Sequence, residues 1–141
     1  MLIGKGQDYD EVRSLCEGLN NVEFREWVEP EELPQVVTSY DIALGIFSST
    51  PKGLHVVPNK VYQSMAAECA VITSDTPPQR RALGNGVVYV APNPRALADA
   101  IASLISSYNI LVRKQSDAAR SAQRFTSDII TRELSQWIKE H

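Results

Sequence analysis

Val56–Asp75 reads VVPNKVYQSMAAECAVITSD. Pro58 and Asn59 open a helix that runs through Tyr62, Met65 and Ala66, and Ala70-Val71-Ile72-Thr73 is an apolar, β-branched strand. Asparagine favours the N-cap, and the proline ahead of it stops any earlier helix. The first amides of a helix have no internal partner and carry partial positive charge. Asn59-Lys60-Val61 is therefore an expected anion seat with a lysine already in it, and Gln63 and Ser64 lie one turn on. Taken alone, the stretch reads first as a capped surface helix beside a sheet, and the anion seat comes second.

The flanking sequence adds a charge argument. Residues 1–41 hold ten acids and three bases, and residues 42–141 seven acids and eleven bases. No acid occurs from Ile42 to Ala67, where Lys52, His55 and Lys60 all fall. An acid-free window around a helix start suits a phosphate better than a cation. Nucleic acid is not suggested, because no basic run interleaves with aromatics. Two cysteines, Cys16 and Cys69, have no metal or redox spacing, and with only His55 and His141 a zinc site is not expected. Cysteine usage of this kind fits a reduced, cytoplasmic setting. No apolar run reaches membrane-span length, so no transmembrane segment is expected.

Working outward, Leu2–Gly4 is a strand stub followed by the turn Gly4-Lys5-Gly6, and Tyr9–Leu19 carries Val12, Leu15, Cys16 and Leu19 at helical spacing. Val22–Arg25 alternates like a strand. Pro30-Glu31-Glu32-Leu33 starts a helix that ends near Tyr40, and Asp41–Phe47, DIALGIF, is a buried-type strand. Ser48–Val57, SSTPKGLHVV, reads as a long loop, and loops of that length are often functional. Thr76-Pro77-Pro78 begins a helix to Leu83, Val87–Val90 is the last strand, and three helices follow. The last of them, from about Thr126, has Ile129, Ile130, Leu134, Trp137 and Ile138 as its apolar stripe. Five strands alternating with helices predict an α/β three-layer, Rossmann-like parallel sheet with helices on both faces and C-terminal helices. Ligands of such sheets sit beyond the strand C-termini, so the Ser48–Val57 loop lies on the expected rim. Trp27 reads as partly buried packing and Arg80 and Arg81 as a solvated helix face.

IGKGQD, NVEFREWVEPEELP, SYDIALGIFSSTPKG, VVPNKVYQSMAAECAVITSD and APNPRALADAIASLI, in that order, give the chain a family likeness. It resembles the C-terminal, nucleotide-sugar donor-binding domain of GT-B glycosyltransferases of the retaining family 4 group, over nearly its whole length. The resemblance implies one donor-binding domain over residues 1–141, lacking an acceptor-binding N-terminal domain and the first strand of its own sheet. It also implies a hexosyltransferase-type enzyme of carbohydrate biosynthesis when complete, with this part alone inactive. The acceptor is a sugar, a lipid-linked sugar or a polysaccharide. The expected location is the cytoplasm, including the inner face of a membrane.

Residue by residue, the family's two spaced glutamates fall at His55 and Gln63. The earlier one approaches the sugar and the later one binds the ribose. The resemblance implies that the amides of Asn59, Lys60 and Val61 cradle the diphosphate, with Lys52, Gly53 and Pro58 beside them and Trp27 and Val28 near the base. His55 and Lys60 are the expected catalytic groups, and no metal or cofactor is needed. Glu68 stands where the family has a helix-ending glycine, and Arg81 replaces a frequent glutamate. Closing the gap left by the missing strand would give one sheet of order 2-1-3-4-5, with Leu2–Gly4 beside Asp41–Phe47 and Lys5 partly replacing lost cations. The other readings are a non-catalytic, flavodoxin-like phosphate-binding module and a nucleotide-sugar epimerase of the same architecture.

Overall fold

The computed structural model describes residues 1–140, so His141 lies outside the described residues. The chain divides into two compact units, Met1–Val36 and a second from Val37 onward. In the first, β1 (Leu2–Ile3) pairs in parallel with β2 (Phe24–Arg25) across α1 (Tyr9–Leu15). Tyr9 packs edge-on against Phe24 with ring centroids 5.9 Å apart, joining helix to strand. Lys5 is held by Glu26 at 3.0 Å. Val28 is buried, but Trp27 is 66% exposed, which corrects the packing role read from sequence. Aromatic character alone does not tell a core tryptophan from one left in solvent.

After α2 (Leu33–Thr38), the second unit is built on β3 (Ile42–Leu44), β4 (Ala70–Ser74) and β5 (Val88–Val90), a parallel sheet of order β3-β4-β5. Every residue of β4 is buried, as a central strand with both faces covered requires. Its side chains alternate between two cores. On one face Val71 joins Val61 and Met65 of α4 (Asn59–Ala66), Leu83 of α5 (Pro77–Leu83) and Ala118 of α7 (Tyr108–Ala122). On the other, Ala70 and Ile72 meet Leu104 of α6 (Pro94–Ser106), with Leu97 and Ile101 alongside. The α/β architecture with helices on both sheet faces is therefore the one the periodicities predict.

Four expectations change. The strands form two sheets, β1–β2 and β3–β4–β5, so β1 does not pair with β3 in a single sheet among the described residues. Counting βα units gives the order of elements, while edge pairing depends on non-local contacts that the count does not contain. Second, Ser48–Val57 is not all loop: Pro51–His55 forms α3. Third, the N-cap of α4 is Pro58, in extended conformation at φ −73°, ψ 149°, and Asn59 is already helical. Fourth, the apolar stripe of the C-terminal helices α8 (Ser127–Ile130) and α9 (Arg132–Glu140) has the right period, yet Ile129, Ile130, Leu134, Trp137 and Ile138 are exposed.

Candidate functional site

Two short helices in series carry most of the predicted residues. Thr50 caps α3: its Oγ1 accepts the Gly53 N–H at 3.2 Å, and Pro51 at the first helical position supplies a preset φ. Ser48 Oγ sits 2.7 Å from Thr50 Oγ1 and accepts the Thr50 N–H. Gly53 is buried because Ser48 fills the space its side chain would take; a Cβ there would lie 2.5 Å from Ser48 Cβ. Lys52 and His55 are both exposed on α3. The Nδ1 of His55 is 2.6 Å from the Pro51 carbonyl oxygen, an acceptor only, so Nδ1 bears the proton and Nε2 is turned to other partners.

Val56 and Pro58 are extended and lead directly into α4. Four chain steps separate His55 from Asn59, which keeps their Cα atoms within about 14 Å. The Val61 N–H donates to the Pro58 carbonyl at 3.0 Å, and Val61 itself is fully buried. That leaves the amides of Asn59 and Lys60, the first two of the helix, without a partner among the described residues. Lys60 is exposed at its surface, but the protein packed about its stem strips water from the ammonium and lowers its pKa from the ordinary lysine value. Gln63 is exposed one turn on, while Ser64 turns inward and is buried. Trp27 and Val28 belong to the first unit.

The helix end behaves as its sequence implies. Glu68 takes φ 60°, the left-handed conformation that follows α4 and that glycine adopts at lower cost. Cys69, next along, is buried with its Sγ 3.2 Å from the Tyr40 carbonyl. Burial first, and the nearby Asp41 charge second, push its thiol up, so it is an inert core group. Cys16 is only half-buried.

Two features beside the helices escaped sequence reasoning. Arg80 grips Asp75 through two bonds, Nε to Oδ1 at 2.5 Å and the second guanidinium nitrogen to Oδ2 at 2.7 Å, while its guanidinium lies over the Tyr89 ring at 4.7 Å. Arg81 alone keeps the plain solvated role. The Arg80 hydrogen bonds hold the Asp75 carboxyl below the usual carboxylate range. Because the folded pKa is depressed, the pair stabilises the fold above the unfolded aspartate pKa, and that contribution is lost as pH falls through the folded value. We expect a carbon-detected NMR titration to place the Asp75 midpoint below that of a free aspartate and to return it upward in Arg80→Ala. An unshifted Asp75 would show that the pair does not persist in solution. The second feature is a buried polar chain through Thr73, Ser74 and Gln79, polar residues where the apolar pattern of β4 directs attention elsewhere.

The geometry can be set beside known proteins. The model of the family described as "Glycosyl transferases group 1" matches residues 1–107, which run through both units. No curated protein matches the chain. Among solved structures, sucrose-phosphate synthase (tll1590) from Thermosynechococcus elongatus superposes with a TM-score of 0.81 at 16% identity, covering 99% of this chain and 37% of that one. Anabaena Alr3699/HepE in complex with UDP-glucose gives 0.79 at 20% identity, covering 99% of this chain and 40% of that one. The chain thus spans about two fifths of either neighbour's length. The fold is that of the C-terminal half of GT-B glycosyltransferases, as the sequence likeness implied. No helix among the described residues is long and apolar enough to cross a membrane. The chain belongs to the group 1 glycosyl transferases.

Proposed function

We propose that this chain binds the nucleotide-diphosphate sugar donor of a retaining glycosyltransferase and seats the diphosphate on the first turn of α4. The observation that carries the reading is the pair of open amides at Asn59 and Lys60 next to a partly desolvated ammonium, in a stretch without a single acid from Ile42 to Ala67. Such a site gains from an anion three times: through hydrogen bonds, through the helix dipole and through a cation poorly served by water. The family match supports the reading, as does the UDP-glucose bound to one structural neighbour.

In transfer, the bond between the anomeric carbon and the β-phosphate oxygen breaks, and its electron pair leaves with the diphosphate. The acceptor hydroxyl attacks that carbon, passes its proton to the departing phosphate oxygen and forms the new bond on the same face. Lys60 and the two amides stabilise the charge that grows on the departing diphosphate, an electrostatic role that uses protein cations rather than a metal. Gln63 both donates to and accepts from a ribose hydroxyl. His55, with Nδ1 committed to Pro51, offers Nε2 to the sugar or its phosphate. The match of the family model across both units supports treating them as parts of one donor-binding domain.

Calorimetry with UDP, GDP and ADP tests the reading, with chemical-shift mapping of the same samples. We expect one diphosphate to bind weakly and to move the Asn59, Lys60 and Gln63 amides. The chain alone should not turn over donor and acceptor, because we take the acceptor side to lie in a further domain. Absence of binding by all three, or perturbation confined to α6, would overturn the site. Sugar transfer by this chain alone would overturn the two-domain reading.

A further inference from the structure

The polar chain through Thr73, Gln79 and Ser74 has no part in the chemistry above, yet its Thr73 end closes on Gly45 together with Val61 of the proposed seat. All three residues are fully buried. Thr73 Oγ1 donates to Gln79 Oε1 at 2.5 Å, and Gln79 Nε2 donates to Ser74 Oγ at 3.0 Å. The same Thr73 oxygen accepts the Ile46 N–H at 3.3 Å, one residue beyond Gly45. A Cβ on Gly45 would overlap the Thr73 hydroxyl and come within 3.1 Å of Val61 Cγ2. Gly45, Thr73 and Val61 therefore form one close-packed layer between the end of β3 and the first turn of α4.

An amide buried in an apolar core is costly unless its hydrogen bonds are made, and once made they fix geometry more tightly than apolar packing does. A leucine or methionine at position 79 would fill the same volume. The N-cap adds no buried tie: Thr76 occupies it, but its buried hydroxyl has no partner among the described residues. Gln79 thus binds α5 to the end of β4 inside the core, where the Arg80–Asp75 pair does so at the surface, and Thr73 extends the buried tie to the backbone at Ile46. From Ile46 the chain runs through the Ser48–Thr50 turn and α3 to the open amides of α4.

We infer that Thr73 and Gln79 are positioning residues for the diphosphate seat: their buried hydrogen bonds set the placement of Ile46 and of the first turn of α4. The inference rests on the donor-site reading for its ligand but not for its geometry. Two variants of matched volume, Thr73→Val and Gln79→Met, remove the hydrogen bonds, and Thr73→Ser restores the hydroxyl. Proton–nitrogen spectra without ligand and calorimetry with UDP, GDP and ADP read the effect. We expect the α6 and α7 amides to stay in place in both volume-matched variants while those of Ile46, Asn59 and Lys60 move. Affinity for the bound diphosphate should fall about tenfold, the scale of one lost net hydrogen bond, with Thr73→Ser within about twofold of wild type. Should one variant fail to fold, the other still carries the test. Unmoved Asn59 and Lys60 amides with unchanged affinity would overturn the inference. If wild type binds none of the three nucleotides, the donor reading fails, and the ligand-free spectra alone decide the positioning role.

Discussion

Lys60→Ala is expected to weaken diphosphate binding by roughly 10- to 100-fold, the range of a lost hydrogen bond to a charged group. Three features concentrate the effect on this side chain. Lys60 stands in the first turn of α4, where amide N–H groups and dipole already favour negative charge. Packing has removed part of the water from its ammonium, so an anion regains solvation the folded protein took away. No carboxylate lies within the acid-free window to neutralise it from its own stretch of chain. The open amides survive the substitution, so binding should weaken rather than vanish. Lys52→Ala, at an exposed position of α3, should change affinity by no more than about threefold, in line with a screened surface charge. In an enzyme that carries the acceptor side as well, Lys60→Ala should lower turnover by about one to three orders of magnitude, as loss of an oxyanion-type donor does. Equal affinities for wild type and Lys60→Ala would make Lys60 an ordinary surface lysine. A strong Lys52 effect would move the seat toward α3.

Much of this was legible because local chemistry dictated it. DIALGIF and Ala70–Thr73 are short apolar runs between turn formers, and they hold the strands Ile42–Leu44 and Ala70–Ser74 of the second unit, the first shorter than Asp41–Phe47. Thr76-Pro77-Pro78 opened α5 where proline preference places it. Glu68, which the family likeness sets at a helix-ending glycine position, takes the left-handed conformation such a glycine holds. The misses have a common physical root. Thr50-Pro51 is a helix-start signal in its own right, but the run of turn formers and small residues, Gly53 among them, made the stretch read as loop. The structure shows that glycine is required there by the approach of Ser48, a contact between residues, not a propensity. Asn59 is the better capping residue by preference, yet Pro58 holds the extended conformation that a cap needs. The Thr73–Gln79 bond joins two residues whose types, read singly, predict surface. The division of strands between two sheets is likewise a matter of which edges meet.

The core beneath the seat yields the second large effect. Met65 is fully buried on α4, in contact with a cluster that includes Val61, Val71, Leu83, Val87 and Ala118. Its terminal methyl reaches to 3.1 Å from where a Cβ on Gly86 would stand, so it borders the space at this glycine that the Ser121 side chain of α7 fills. An unbranched thioether suits such an irregular space. Met65→Ala should therefore open a cavity that the surrounding strand and helices only partly close, at a cost of about 2–5 kcal/mol. Against a total stability of roughly 5–15 kcal/mol for a domain, that is a large fraction. In thermal unfolding it should appear as a drop of about 10 °C or more. Met65→Leu keeps most of the volume and should cost less than about 1.5 kcal/mol. Urea unfolding of the three proteins separates the cases, provided the slopes agree, since a changed slope would signal a changed unfolded or native state rather than a lost contact. A loss under about 1 kcal/mol in Met65→Ala would mean that the core closes over the missing side chain. The first turn of α4 would then be seated by the Thr73–Gln79 bonds and Val61 alone, and diphosphate affinity in Met65→Ala should equal that of wild type.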